Sequence, residues 1–106
     1  KHFAFDFSTV SPVDAIKLSA DVRVLTVSVK IITPFDDPAA ELTIGFPGSS
    51  DGYMNASQID CSETGEYETN PYRLIAAEEH VILTLNPGSS TTGQGLLIIE
   101  IDKPTT

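Results

Sequence analysis

His80-Val-Ile-Leu-Thr-Leu85, then Asn86-Pro-Gly-Ser-Ser-Thr-Thr-Gly-Gln-Gly95, then Leu96-Leu-Ile-Ile-Glu-Ile101 is the stretch that decides the fold. Its first part is a strand in which Val81, Leu83 and Leu85 alternate with His80, Ile82 and Thr84, so one face enters a core while the other stays mixed. The middle part is a loop by composition. The last part does not alternate. Leu96, Leu97, Ile98, Ile99 and Ile101 place apolar groups on both faces, and a strand apolar on both sides needs cover on both sides. A chain of 106 residues builds one core. One face of the last strand is therefore expected in the domain's own core and the other under another subunit or another part of a longer chain, which predicts a self-associating β module.

Outward from that hairpin, the rest of the chain also reads as strands and turns. Phe3, Phe5 and Phe7 alternate with His2, Ala4 and Asp6, a half-buried strand with three aromatic anchors on one side. Residues 1–12 are expected to form either this first strand or an N-terminal arm. Val13 to Leu18 is less regular and fits a short strand or an extended connection. Over Asp21 to Thr33, Leu25, Val27, Val29 and Ile31 are expected on one face, with Val24, Thr26, Ser28 and Lys30 on the other. Pro34 and Asp36-Asp37-Pro38 end that strand, because proline lacks a donor and aspartate favours turns. Leu42, Ile44 and Phe46 form a further inward set, and Phe46 to Gly52 is expected to be a loop. Tyr53 to Cys61 fits a helical turn as well as an irregular crossing. Short strands follow at Thr64–Thr69, with Tyr67 inward, and at Pro71–Ile75, and Ala76–Glu79 suits one turn. The whole is all-β: a single domain over residues 1–106, an antiparallel β-sandwich or jelly roll of seven or eight strands.

Fifteen acidic against six basic side chains give a formal charge of −9, a surface that repels phosphate backbones and anionic membranes. No nucleic acid and no membrane are expected as partners, and the longest apolar runs fall far short of the roughly 20 residues that span a bilayer. Cys61 is the only cysteine, so no internal disulfide forms, which suits folding in a reducing cytosol or stabilisation by oligomerisation. The chain opens on Lys1, as a processed product or a piece of something longer does.

Chemistry-bearing patterns are sparse. His2 and His80 lie on different predicted strands, and a metal would need them adjacent together with a carboxylate such as Glu100 or Asp102. Asp36, Asp37, Asp51, Asn55 and Asp60 offer hard oxygen ligands for a structural calcium. Their spacing is not that of an EF-hand loop, and ordinary turn capping accounts for them better. No G-x-S-x-G elbow occurs, Cys61 has no histidine near it in sequence, and Glu63, Glu66, Glu68, Glu78 and Glu79 read as solvated faces. Residues 87–95 match a phosphate cradle in glycine content only. No catalytic residue, cofactor or metal ligand is assigned, and the expectation is that the protein is not an enzyme. The candidate oligomer interface comprises Val24, Ile82, Leu96 and Ile98. A candidate ligand-binding surface comprises Asp51, Tyr53 and Tyr72, with Tyr67 as a further aromatic.

The succession Leu42-Thr-Ile-Gly45, Asp51-Gly-Tyr-Met54, Ile59-Asp60, Thr64-Gly65, Tyr67, Pro71-Tyr72, Pro87-Gly88, Thr92-Gly-Gln-Gly95 and Ile98-Ile-Glu-Ile101 resembles a group of small β proteins encoded by tailed phages. The likeness runs over about residues 20 to 102, and Phe3-Ala-Phe-Asp-Phe7 has no counterpart in it. It implies a virion structural module: a capsid decoration protein, a head fibre, or the knob of a tail appendage. By the same resemblance the chain would be a homotrimer that contacts other virion proteins and is assembled in the cytoplasm of a bacterial host. The alternative is a carbohydrate- or receptor-binding domain of a tail fibre or spike, engaging a host surface glycan.

Overall fold

A computed structural model describes residues 1–102; residues 103–106, the end of the single domain expected over 1–106, lie outside the described residues. Nine strands follow in chain order: β1 (His2–Asp6), β2 (Val13–Leu18), β3 (Arg23–Thr33), β4 (Glu41–Phe46), β5 (Ser49–Met54), β6 (Gly65–Thr69), β7 (Arg73–Leu74), β8 (Glu79–Asn86) and β9 (Gln94–Asp102). They form two antiparallel sheets. The first has the order β1-β9-β3-β6 with β7 extending the β6 edge along β3, and the second has the order β2-β8-β4-β5. First pairs with last, second with second-last, third with β6 and fourth with fifth. This nested pairing defines a jelly roll, in which one long antiparallel ribbon wraps around a single core. The fold is the all-β sandwich that the alternation predicts, with one strand more than expected.

The core lies between the sheets. Leu18, Val24, Val27, Val29, Ile31, Leu42, Ile44, Val81, Leu83, Leu97 and Ile99 are fully buried in one apolar cluster. β9 sits between β1 and β3, so Leu97 and Ile99 face that cluster, while Leu96 and Ile98 lie half-buried on the outer face. The doubly apolar strand thus has one face in the core, as expected. Its outer face is flanked within the same sheet: Ile98 stands between His2 and Ser28, and Leu96 between Ala4 and Lys30.

β3 departs from simple alternation. Val24 pairs with Ile101 and Thr26 with Glu100, so Leu25 is an extra residue that no partner opposes. Such a bulge reverses the phase of the strand. Val24 and Val27 both point inward, and Val24 is completely buried instead of facing a sister subunit. A second bulge leaves Ile32 exposed between Ile31 and Thr33.

Three other expectations are revised locally. Ser49–Met54 is strand β5 and not part of a loop, because Pro47 and Gly48, the latter with φ of 90°, close a tight connection directly after β4. The chain then makes a short 3-10 turn at Ala56–Gln58, capped by the Asn55 side chain, and reaches β6 through Ile59 and Cys61, both buried. Phe7 falls beyond the end of β1 and is 39% exposed, whereas Phe5 enters the core and Phe3 packs against it. The phase of β9 gives a direct check by urea denaturation: Leu97→Ala should cost about 2–5 kcal/mol, the usual range for a core leucine, and Val24→Asp should abolish folding.

Candidate functional site

The candidate interface residues do not converge. Leu96 and Ile98 lie on the outer face of the first sheet, Ile82 on the outer face of the second, and Val24 inside. The first outer face carries a short apolar centre with Ser28, Lys30 and His2 beside it and an acidic border. Glu68 stands across from Ser28, Glu66 across from Lys30, and Glu100 across from Thr26. Ile82 stands between Asp14 and Gly45, with no side chain from the glycine to cover it. A contact that uses Leu96 and Ile98 therefore cannot use Ile82 in the same patch.

The tyrosines also separate. Tyr53 is buried, 5% exposed, so it cannot serve as an exposed ring for a ligand. Tyr72 is 61% exposed and adopts a left-handed backbone, with φ of 47°, where the chain passes from β6 to β7. Tyr67 is half-buried against the core, and Asp51 is exposed on β5.

Tyr53 belongs instead to a cluster that closes one side of the sandwich. The Arg73 guanidinium stacks 3.8 Å from the centre of the Phe46 ring, and its Nη1 donates to Tyr53 Oη at 3.0 Å and to the carboxylate of Glu79. Phe46 and Tyr53 meet edge to face at 5.2 Å. Four strands contribute, β4, β5, β7 and β8, so the cluster ties the edge of one sheet to the other. Glu79 above all, with Tyr53, holds Arg73 charged, and burial pushes the Tyr53 phenol above its ordinary value. Gly52 makes room for this packing, since a Cβ there would lie 2.3 Å from the Phe46 ring. Sequence reasoning missed the cluster because Phe46, Tyr53, Arg73 and Glu79 come from four strands of two sheets and no spacing rule joins them.

The loop acids act as acceptors for the chain's own backbone. Asp36 accepts from Thr91 N–H at 2.7 Å, from the Thr91 hydroxyl at 2.8 Å and from Thr92 N–H at 3.2 Å. Asp37 accepts from Ser89 N–H at 2.8 Å and Ala39 N–H at 2.9 Å, and its own N–H donates to Ser90 Oγ at 3.1 Å. The residue 34–39 connection is thus laced to the residue 87–93 loop. The Thr91 hydroxyl, with the Thr91 and Thr92 amides, holds Asp36 below the ordinary carboxylate range. The Ser89 and Ala39 amides do the same for Asp37. Asp60 is lowered by the Ser62 hydroxyl and amide, and Asn55 caps its turn, so these residues perform the turn chemistry that their composition suggests. His2 and His80 lie in different sheets, opposite Ile98 and Lys17. Among the described residues no three His, Cys, Asp or Glu side chains gather as a metal site would require. Cys61 is buried, and burial pushes its thiol up to about 11, which makes it a poor nucleophile.

No protein-family model and no curated protein matches the chain. Among solved structures, it is similar to a chain of the acidic stable capsid structure of Helicobacter pylori bacteriophage KHP30. The TM-score is 0.72 at 11% sequence identity, and the superposition covers 97% of this chain and 90% of that one. The two share the fold over nearly their full lengths.

Arg73→Lys keeps the charge but loses the planar stack on Phe46 and the paired contacts to Glu79 and Tyr53, and should lower stability by about 1 kcal/mol in chemical denaturation. The folded-state values of Asp36 and Asp37 lie below the ordinary 3.8, so their contribution is fully present above 3.8 and is lost as pH falls through the lowered values. Carboxyl-carbon NMR should therefore give midpoints below 3.8 for both residues. Asp36→Asn should flatten the acid limb of melting temperature against pH while leaving its shape above pH 5 to 6, about two units higher, unchanged.

Proposed function

We propose that the chain is a non-enzymatic structural module of a tailed-phage virion, carried on the capsid and acting by contact with its own copies and with other virion proteins. The observation that carries this reading is a jelly roll matched over 97% of this chain and 90% of a chain from a phage capsid structure, a pair of nearly equal length. The order of residues from about 20 to 102, which resembles small phage β proteins, supports the same class. Sandwiches of this kind also serve lectins and other roles, so the fold alone does not select among them. The single buried cysteine and the absence of any disulfide suit assembly in a bacterial cytoplasm.

The self-contact is assigned to the outer face of the first sheet, centred on Leu96 and Ile98, in a homotrimer. A standard contact buries about 800 Å² per partner, and a central pair of aliphatic side chains with a polar border fits that anatomy. Decoration of the capsid surface is favoured over a tail-tip role because the tyrosine platform that a tip would use loses Tyr53 to the core. Asp51 and Tyr72 remain exposed, without a second ring beside them in the proposed set.

Light scattering at micromolar concentration is expected to give a homo-oligomer. Association should strengthen with added salt, because copies of charge −9 repel one another and salt screens that repulsion. Leu96→Asp and Ile98→Asp should reduce the measured mass while leaving a folded monomer. A monomer at every concentration and salt level would overturn the self-association.

A further inference from the structure

We propose that an open depression at the loop end of the sandwich binds a neutral saccharide. It has a volume of about 390 Å³ and lies where β1 ends and β9 begins, between Asp6, Phe7, Thr33, Gln94 and the Thr91–Gly93 turn. The site is distinct from the Asp51 and Tyr72 surface. Gln94 pairs with Asp6 and Thr33 at this end of the first sheet, whereas Leu74, two residues after Tyr72, pairs with Arg23 at the other.

The lining offers the two things a sugar ring needs. Phe7 is 39% exposed although it continues the alternation of Phe3 and Phe5. Phe7 thus contributes apolar surface to the depression, and aromatic surface packs well against the C–H side of a pyranose. Around it stand short polar groups that both donate and accept: the Gln94 amide and the Thr33 hydroxyl, both on exposed residues. Asp6 uses Oδ1 to accept the Ser8 N–H at 2.8 Å and the Ser8 hydroxyl at 2.5 Å, which leaves its second oxygen as an acceptor for a ligand hydroxyl.

The rim is held in place before any ligand arrives. The Phe7 N–H donates to Gly93 O at 3.0 Å, Asp36 fixes the Thr91 and Thr92 amides, and the Thr92 hydroxyl donates to Pro34 O at 3.2 Å. Gly93 itself, with φ of 146°, lies over the Phe35 ring, where a Cβ would approach to 2.5 Å. Preorganisation of this kind lowers the ordering cost of binding. Charge then selects the ligand. The lining holds one carboxylate and no base, in a chain of net charge −9, so phosphorylated and acidic sugars are repelled and a neutral one is not. The volume is at the low end for small-molecule sites, about 300–1,000 Å³, which suits one or two rings and a dissociation constant of about 1 mM.

The inference concerns the protein away from the virion and stands or falls apart from the virion reading. The test is a titration of the ¹⁵N-labelled protein with glucose, galactose and N-acetylglucosamine, each with its acidic counterpart glucuronate, galacturonate or N-acetylglucosaminuronate as a control. Gln94 lies two residues before Leu96 on the same face of β9, so the titration is made on the protein in the oligomeric state it adopts; at least one neutral sugar should shift the amides of Phe7, Thr91, Gly93 and Gln94 and leave those of Asp51 and Tyr72 still. Phe7→Ala and Gln94→Ala, each verified as folded by its spectrum, should weaken that binding about ten-fold. Absence of shifts with all three neutral sugars, shifts centred elsewhere, preference for the acidic sugars, or full binding by both variants would each overturn the proposal.

Discussion

The insertion of β9 between β1 and β3 is the constraint on which the rest of this molecule depends. Leu97 and Ile99 face inward, β1 and β3 run antiparallel to β9 on either side, and the ribbon that joins them wraps around the core. The second sheet follows, since β2, β8 and β4 carry their own inward sets of Ile16 and Leu18, Val81, Leu83 and Leu85, and Leu42 and Ile44. A one-residue slip of β9 would exchange Leu97 and Ile99 for Leu96 and Ile98. Hydrophobicity barely distinguishes the two registers. What distinguishes them is Gly95: in the native phase its missing side chain leaves space for the Phe5 ring, which would otherwise lie 2.4 Å from a Cβ. A glycine and an aromatic ring therefore select a register that aliphatic content leaves open.

Strands whose two faces differ were legible in the sequence, and strands whose phase changes within the element were not. The alternation in Val81, Leu83 and Leu85, and in Leu42 and Ile44, matches the buried set, whereas Phe46, expected inward with the last two, follows a register shift and is only partly buried against the core. β3 defeated the same reasoning at Leu25, where both phases of the strand are apolar and nothing in the local sequence marks a bulge. Counting by twos from Leu25 therefore puts Val24 on an outer face. The Ser49–Met54 strand was hidden by its composition of serine, aspartate and glycine, residues that favour turns. Its place in the sheet comes from its pairing with β4, a tertiary effect.

The candidate surfaces were less legible than the fold, and the reason is geometric. Period-two patterns say which residues share a face of one strand but not which sheet that strand joins. Ile82 and Leu96 looked alike in sequence and emerged on opposite sides of the sandwich. Tyr53 is one of the few aromatics the sequence offers a ligand surface, yet its hydroxyl is the acceptor that Arg73 uses while stacking on Phe46. A polar handle on a buried ring is common, and the partner that satisfies it comes from elsewhere in the chain.

The acidity of the chain has a structural use that its net charge conceals. Among the described residues only two ion pairs occur, Lys17 with Glu78 and Arg73 with Glu79, so most carboxylates are not balanced by cations. Asp6, Asp36, Asp37 and Asp60 instead face amides and the hydroxyls of serine and threonine, which lowers each of them below its ordinary value. A carboxylate held by N–H and O–H groups gives up its proton more readily than a free one, and it joins two connections without needing a lysine or arginine in either. The Asp36 and Asp37 pair does this between two loops more than 50 residues apart, at the end of the sandwich where no strand pairing can reach. In a chain with one cysteine, such acceptors join connections that neither of the two ion pairs among the described residues joins. Because their proton affinity is reduced, they keep the loops joined down to a more acid pH than unassisted aspartates would allow.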